Sequence, residues 1–301
     1  SHLIFILLIQ AASAQEFPVV GHLHGFCRGV AKYENYVYFN AASNIFVAKE
    51  LRTGSFEIVN QFYAGPGNTT DIQVYDDKLV LAVYLKGVAI YDLTNPESPE
   101  KLNLAMGGYP NGYKRSLFSN DTVLIGVAGD KNSFFDISDP SQPQYLGNIS
   151  FGFNGPDAVA VGENMFYGFM QDGYSGPHYL RAYNISNPAS PSLSASLQIA
   201  PNYTAPFADC MGYTNDLLFV SFNDTVKIYD VANPSEINYL TQFPASATIR
   251  YFELKDGLMI CAMTGSGVEI YDVSNIYQPQ LVTFYEKALS IDYVCFADDY
   301  L

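Results

Sequence analysis

Short runs of apolar residues, four to eight positions long, alternate with polar turns along most of this chain. Examples are KLVLAVYL at 78–85, LLFVSF at 217–222 and LMICAM at 258–263. Runs of this length that are rich in Val, Ile, Tyr and Phe, and that end at Gly, Asn, Asp or Pro, are typical of β strands. Several runs are apolar at every position, which indicates strands buried on both faces. A stack of sheets, each covered by two neighbouring sheets, satisfies that requirement.

One of these runs recurs with the same polar turn attached. The copies are VAIYDLTNPESP at 88–99, SFFDISDPSQP at 133–143, LRAYNISNPASP at 180–191, VKIYDVANPS at 226–235 and VEIYDVSNIYQP at 268–279. We call the acidic or amide residue that follows the apolar run the anchor. A weaker copy, FVAKEL at 46–51, precedes the others, and the six anchors are Glu50, Asp92, Asp136, Asn184, Asp230 and Asp272. Short polar side chains accept backbone N–H bonds in such turns, and Pro ends the strand ladder, so we predict a structural role for the anchors.

Each repeat holds four strands in series, because two apolar runs precede the anchored strand and one follows its Pro. The anchors recur every 42 to 48 residues, a period that is typical of the blades of a β-propeller. The chain resembles the LVIVD-repeat β-propeller family over residues 25–300, since VAIYD, VKIYD and VEIYD are close variants of the third-strand sequence that gives the family its name. The resemblance implies a secreted or cell-surface scaffold and no particular reaction.

The first strand of each repeat carries a charged residue at one aligned position. The seven charged residues are Arg28, Asp71, Arg115, Asp157, Asp209, Arg250 and Asp292. One charged residue in each first strand predicts an all-β propeller of seven blades, each with four antiparallel strands. Because first strands line the axis of a propeller, we expect a charged ring at one mouth of the central channel. Opposite charges side by side favour a belt of ion pairs between blades. The alternative is a polar site for a small ligand or ion.

The two ends of the chain both bear on the seventh blade. Residues 289–301 are predicted to supply its first strand. When Pro18 is aligned with the Pro that closes the repeated turn, residues 9–13 fall on the third strand and residues 19–22 fall on the fourth strand. Strands from both ends would close the ring, or the N-terminal strands could be donated to a neighbouring molecule. Residues 1–15 also resemble a signal peptide, with LIFILLI followed by Ala11 to Ala14. We therefore expect a single propeller domain over 16–301, preceded by a segment with these three interpretations.

Composition limits the partners. The chain has 301 residues and a net charge of −15, so it repels nucleic acid and anionic membranes. The apolar runs are too short for a transmembrane segment.

Six sequons predict N-linked glycans and an oxidising, extracellular or cell-surface location, at Asn68, Asn120, Asn148, Asn184, Asn202 and Asn223. Of the four cysteines, Cys210 and Cys261 lie at similar heights on adjacent blades and could form a disulfide.

Residues that could carry catalysis are few. His22 and His24 share a strand face but are too few for a zinc site, and we expect no cofactor and no metal. The long loop of the fourth blade is a candidate recognition site through Asp172, Tyr174, His178 and Tyr179.

The favoured function is a non-catalytic scaffold that contacts other proteins or copies of itself, as in a fibre or surface layer. The alternative is a lectin or glycan-active propeller enzyme that uses carboxylates at the channel mouth.

Overall fold

The computed structural model of this chain describes residues 2–6, 19–24, 27–51, 55–106, 113–129, 131–151, 158–173, 176–201, 208–285 and 291–296. In these residues the structure is all-β. A two-stranded antiparallel sheet of β1 (His2–Ile6) and β2 (Val19–His24) comes first in the chain. Six four-stranded sheets follow it, and each is built from consecutive strands.

The six sheets are the blades of a β-propeller. Blade one contains β3 (Val30–Tyr33), β4 (Tyr36–Ala41), β5 (Asn44–Glu50) and β6 (Phe56–Tyr63). Blade two contains β7 (Thr69–Tyr75), β8 (Lys78–Val83), β9 (Gly87–Asp92) and β10 (Glu100–Ala105). Blade three contains β11 (Arg115–Asn120), β12 (Val123–Val127), β13 (Lys131–Asp136) and β14 (Gln144–Ser150).

The second half of the propeller has the same order. Blade four contains β15 (Ala158–Gly162), β16 (Met165–Gln171), β17 (His178–Asn184) and β18 (Ser192–Ala200). Blade five contains β19 (Cys210–Thr214), β20 (Leu217–Phe222), β21 (Thr225–Asp230) and β22 (Asn238–Pro244). Blade six contains β23 (Ile249–Lys255), β24 (Leu258–Met263), β25 (Gly267–Asp272) and β26 (Gln280–Tyr285). The first strands of successive blades pack side by side around the axis.

The strands that are apolar at every position are buried on both faces, as predicted. Leu79 to Val83 of β8 and Leu218 to Phe222 of β20 lie between neighbouring blades. Their side chains alternate between two hydrophobic clusters, one shared with the preceding blade and one with the following blade. The core of this protein is therefore a series of layers between blades.

The anchors have the structural role that the sequence predicted. In the last blade, Oδ1 of Asp272 accepts hydrogen bonds from Ser274 N at 2.9 Å and Ser274 Oγ at 2.6 Å. The same geometry occurs at the anchors Asp92, Asp136 and Asn184. These bonds lower the pKa of the carboxyls of Asp92, Asp136 and Asp272 because they stabilise the charged form. Glu50, the weakest anchor, instead accepts from Lys32 Nζ at 3.1 Å in a buried ion pair.

The anchored turns also join the blades. Asn60 Nδ2 on β6 donates to the carbonyl of Glu97 in the turn of blade two, at 2.9 Å. Asn103 on β10 donates to Ser141 O of blade three in the same way, and Ser194 Oγ on β18 donates to Pro234 O of blade five at 2.7 Å. The outer strand of one blade therefore receives the turn of the next blade.

The described residues form six four-stranded blades, which corrects the prediction of seven. Of residues 289–301, which were predicted to supply the first strand of a seventh blade, the described residues 291–296 form no strand. They pack instead along blade six, where Ile291 N donates to Met263 O at 3.2 Å and Phe296 N donates to Glu253 Oε2 at 2.9 Å. Ile291 and Phe296 are buried against β24 and β25. The register predicted for the N-terminal strands is also corrected, because β2 pairs with residues 2–6, and residues 9–13 lie outside the described part of the chain.

Candidate functional site

The predicted charged ring has members in very different environments. Asp71 is 1% exposed, Arg115 and Asp292 are half-buried, and Arg28, Asp209 and Arg250 are exposed. Asp157 lies outside the described residues. The aligned positions therefore place charges at the starts of the first strands, and burial differs from one blade to the next.

Asp71 is held by the neighbouring blade. Its Oδ2 accepts hydrogen bonds from Ser116 N at 2.8 Å and Ser116 Oγ at 3.3 Å, and its Oδ1 accepts from Gln73 Nε2 at 3.3 Å. Burial raises the pKa of this carboxyl, while the positive charge of Arg115 and the hydrogen bonds from Ser116 and Gln73 partly offset the shift. Oδ2 joins blade two to blade three, and Oδ1 is bonded within blade two. Because both oxygens already accept hydrogen bonds, Asp71 is a poor candidate for a catalytic carboxylate.

Arg115 reaches across the channel from blade three to blade six. Its guanidinium lies 5.4 Å from the ring centroid of Tyr251 on β23, a cation–π arrangement. Tyr251 in turn packs on Tyr293 with ring centroids 4.8 Å apart. Burial raises the pKa of both Tyr251 and Tyr293, so these phenols stay neutral at physiological pH. Arg115 and the two rings narrow the channel at this level.

Two of the exposed ring members, Asp209 and Arg250, bind uncharged groups of their own blades. Asp209 Oδ2 accepts a hydrogen bond from Asn223 N at 2.9 Å, and Arg250 Nε donates to Thr264 Oγ1 at 3.0 Å. These bonds hold the loops after the second strands of blades five and six. The belt of ion pairs between blades stays a prediction for the other ring members.

A cavity lies further along the same first strands. It has a volume of about 440 Å³, and strands β3, β7 and β23 line it together with residues 294–296. Its polar lining includes Lys32, Tyr33, Gln73 and Glu253. Because Lys32 pairs with Glu50 and Glu253 accepts from Phe296 N, two of its charged groups have structural partners. The volume falls within the range of small-molecule sites.

The candidate recognition loop of blade four is tied to its own sheet. Asp172 Oδ2 forms an ion pair with Arg181 Nη2 at 2.7 Å, and the guanidinium of Arg181 lies 4.8 Å from the ring centroid of Tyr179. His178 is fully buried and stacks on Phe169 at 5.5 Å, so it contributes to the core. Tyr174 lies outside the described residues. A recognition role for this loop stays a prediction, and among its described candidates Asp172 and Tyr179 are the ones outside the core.

All four cysteines are free thiols in the structure. Cys210 and Cys261 belong to one hydrophobic cluster between blades five and six, but no disulfide joins them here. Burial raises the pKa of both thiols, which makes them poor nucleophiles. Among the residues that the structure describes, no three His, Cys, Asp or Glu side chains converge as they would around a metal ion.

The sequon asparagines are accessible where the structure describes them. Asn68, Asn120, Asn184 and Asn223 are exposed, and Asn148 is half-buried. Asn202 lies outside the described residues. At Asn120 the Oδ1 atom accepts hydrogen bonds from Thr122 N and Thr122 Oγ1, both at 3.0 Å, and neither bond uses the amide nitrogen to which a glycan would be attached.

Blade six carries an apolar surface that the repeat pattern does not predict. Its outer strand β26 exposes Leu281 (49%), Val282 (54%) and Phe284 (58%). At the position of Val282, the outer strands of blades one, two, three and five carry Val59, Leu102, Leu146 and Leu240, all of them half-buried. The signal in the sequence was the uncharged run QLVTFY at 280–285, which the repeat pattern had assigned only as a fourth strand.

The described residues define an all-β protein of the β-propeller class. No protein-family model and no curated protein matches the chain. Solved structures match at the level of the fold. The computationally designed Ika8 protein aligns with 98% of this chain and 95% of its own at 13% identity and a TM-score of 0.62. A "putative 6-phosphogluconolactonase" from Bacteroides uniformis aligns with 85% of this chain and 83% of its own at 12% identity and a TM-score of 0.68.

These identities establish similarity of fold alone. In the described part of the chain, no helix has the length and apolar character needed to cross a membrane.

Proposed function

We propose that this chain is a non-catalytic, N-glycosylated scaffold of the extracellular space or cell surface. Its propeller contacts other proteins or copies of itself, as a fibre or surface-layer subunit does. The exposed apolar strand β26 is the observation that carries this proposal, because large apolar side chains grouped on a rigid surface are typical of protein contact sites. The exposed sequon asparagines support the location.

The proposal includes the completion of the ring. We propose that β1, β2 and residues 291–296 together occupy a seventh position. The antiparallel pairing of β1 with β2 supports this, since third and fourth strands pair in this way in every blade. Five residues separate β2 from β3, as five residues separate β6 from β7. Val37 and Phe39, on the face of blade one that points away from blade two, are also buried.

The alternative, a lectin or glycan-active enzyme, is less well supported. It needs carboxylates that face open space at the channel mouth, and the buried Asp71 has both oxygens bonded to blade groups. The cavity near Lys32 and Glu253 offers room for a small ligand, but two of its charged groups are bonded to the protein.

Native material from the producing cells tests the proposal. We expect light scattering and negative-stain imaging of the secreted or surface fraction to show assemblies larger than one chain, and treatment with an N-glycosidase to lower the mass of the chain. Strictly monomeric native material without bound protein would contradict the scaffold function. Specific retention on a glycan array, lost on substitution of Asp209 by Asn, would favour the alternative.

A further inference from the structure

The outer strand of blade six has an open edge. In the sheet of blade six β26 is the last strand, so one side of its backbone faces away from β25. Within the part of the chain that the structure describes, no backbone hydrogen bond from outside blade six reaches Gln280 to Phe284. An edge of this kind can add another strand through main-chain hydrogen bonds.

The other outer strands carry residues that discourage such pairing. Charged side chains lie on β6 (Glu57) and β10 (Glu100 and Lys101), and Pro244 ends β22. The edge strand β14 carries Gly147 and the sequon Asn148, and β18 carries three serines. All six outer strands share a β-bulge, so the bulge does not distinguish them. What distinguishes β26 is that it exposes three large apolar side chains, Leu281, Val282 and Phe284, whereas none of the other outer strands exposes more than two.

The outer strands of the blades differ clearly at one position of the repeat. Phe284 lies opposite Glu269 on β25, and Gln242 lies opposite Lys227 on β21 at the equivalent place in blade five. Blades one, three and four have Gln61, Asn148 and Ser196 at this position, and blade two has the half-buried Leu104. The last blade therefore exposes 58% of a large aromatic side chain where four of the other five blades carry a polar one.

The distribution of charge favours a second copy of this chain as the partner of β26. The chain has a net charge of −15, so two copies repel each other over most of their surfaces. Residues 276–285 contain no charged side chain. When identical surfaces meet around a two-fold axis, each group meets a symmetric copy of the patch, and an uncharged apolar patch can do so without repulsion.

We infer that β26 is a self-association edge: two copies of this chain pair their β26 strands antiparallel around a two-fold axis and form one continuous eight-stranded sheet across two propellers. Leu281, Val282 and Phe284 would then meet the same residues of the second copy as cross-strand neighbours. The inference rests on the proposed scaffold function and names its partner as a second copy of this chain.

The test compares matched lysine substitutions. In sedimentation velocity over about 1 to 500 µM, a range suited to a small interface of about 1,200 Å², we expect the wild-type chain to dimerise reversibly. Phe284→Lys and Val282→Lys should each raise the dimer dissociation constant at least about tenfold, because like charges then meet across the axis. Gln242→Lys, at the equivalent position of blade five, should change it by less than about twofold.

A second measurement does not depend on the variants. Hydrogen exchange of the wild-type amides of residues 280–284 should slow as the protein concentration rises through the dimerisation range, while those of β22 should not change. Both lysine variants change exposed side chains, so we expect their thermal unfolding to match that of the wild type.

The outcomes separate this inference from the proposed function. Wild-type association in both lysine variants would overturn pairing through β26 and leave assembly through another surface. A monomeric purified chain, with native material that contains a different protein protecting β26, would overturn the second copy as occupant. Monomers in both purified and native material would overturn the inference and the scaffold function together.

Discussion

At the residue scale, the same side chain has opposite roles at two places in the repeat. The anchor Asp272 is close to solvent and accepts bonds from Ser274, so its pKa is lowered. Asp71, on a first strand, is buried between blades, and its pKa is raised because burial outweighs its hydrogen bonds and the charge of Arg115. Sequence position within the repeat distinguished these two groups, but their environments set the direction of each shift.

The Asp71→Asn variant tests the buried carboxyl. In the folded protein the pKa of Asp71 lies above its ordinary value of 3.8, so its contribution to stability is fully present below that value and is lost as pH rises through the folded pKa. We therefore expect the unfolding free energy of wild type relative to Asp71→Asn to fall as the pH rises above the ordinary pKa and through the raised pKa of the folded state. Chemical denaturation across this range measures it.

Asp272→Asn provides the control with the opposite sign. Its pKa is lowered, so the contribution of Asp272 is present above 3.8 and is lost as pH falls through the folded pKa. A pH-independent difference between wild type and Asp71→Asn would contradict the burial that we describe.

At the element scale, the contact between an outer strand and the next blade's turn joins the propeller. On β14 the contact is so close that only glycine fits: a Cβ atom on Gly147 would lie 2.9 Å from Pro188 O and 3.0 Å from Ala189 O, both backbone atoms in the turn of blade four. The Asn-Pro turn therefore acts twice, once to end its own third strand and once to fit the preceding blade.

The Gly147→Ala variant tests this contact. Because the clashing atoms belong to the backbone, they cannot turn aside, and we expect a loss of about 1–3 kcal/mol in the free energy of unfolding. Gly129→Ala is the matched control, since a Cβ atom there meets nothing within 4 Å. Urea denaturation of both variants measures the difference, and equal stability would argue against close packing of turn on strand.

At the scale of the whole molecule, the inner and outer parts of blade six are covered to different extents. Residues 291–296 cover the inner part of blade six, where Ile291 and Phe296 are buried against Ile260 and Ile270. The outer part of the same blade remains exposed at Val282 and Phe284. Blade six is therefore closed toward the axis and open toward solvent, and the proposed self-association uses the open half.

The closure of blade six can be tested by a pair of identical substitutions. Phe296→Ala removes a ring that is 7% exposed, and we expect it to lower the unfolding free energy by about 3 kcal/mol. Phe284→Ala removes a ring that is 58% exposed, and we expect a change below about 0.5 kcal/mol at concentrations where the chain is monomeric. Thermal and urea unfolding at low concentration measure both. If Phe296→Ala lowered the unfolding free energy as little as Phe284→Ala does, the C-terminal segment would not be part of the cooperative fold.

Much of the fold could be predicted from the repeat. The run VEIYDVSN gave the third strand β25 and its turn, and LMICAM gave β24, because strand propensity and turn chemistry are local properties. The candidate site was predicted less well. His178 looked like a loop residue and is in the core, and the exposed side of β26 was not anticipated. The burial of His178 and the exposure of β26 both depend on which sheet covers each strand. The residues of a strand do not by themselves specify that neighbouring sheet.

By itself the sequence determined the β-propeller, the four-stranded unit, the anchored turns and the distribution of charge, since each follows from side chains interacting within one repeat. Only the tertiary structure decided that six blades are complete, that Arg115 crosses the channel to Tyr251, and that Val282 and Phe284 face solvent. These features depend on how the repeats close around an axis. Closure depends on contacts between residues far apart in the chain, so no single repeat specifies it.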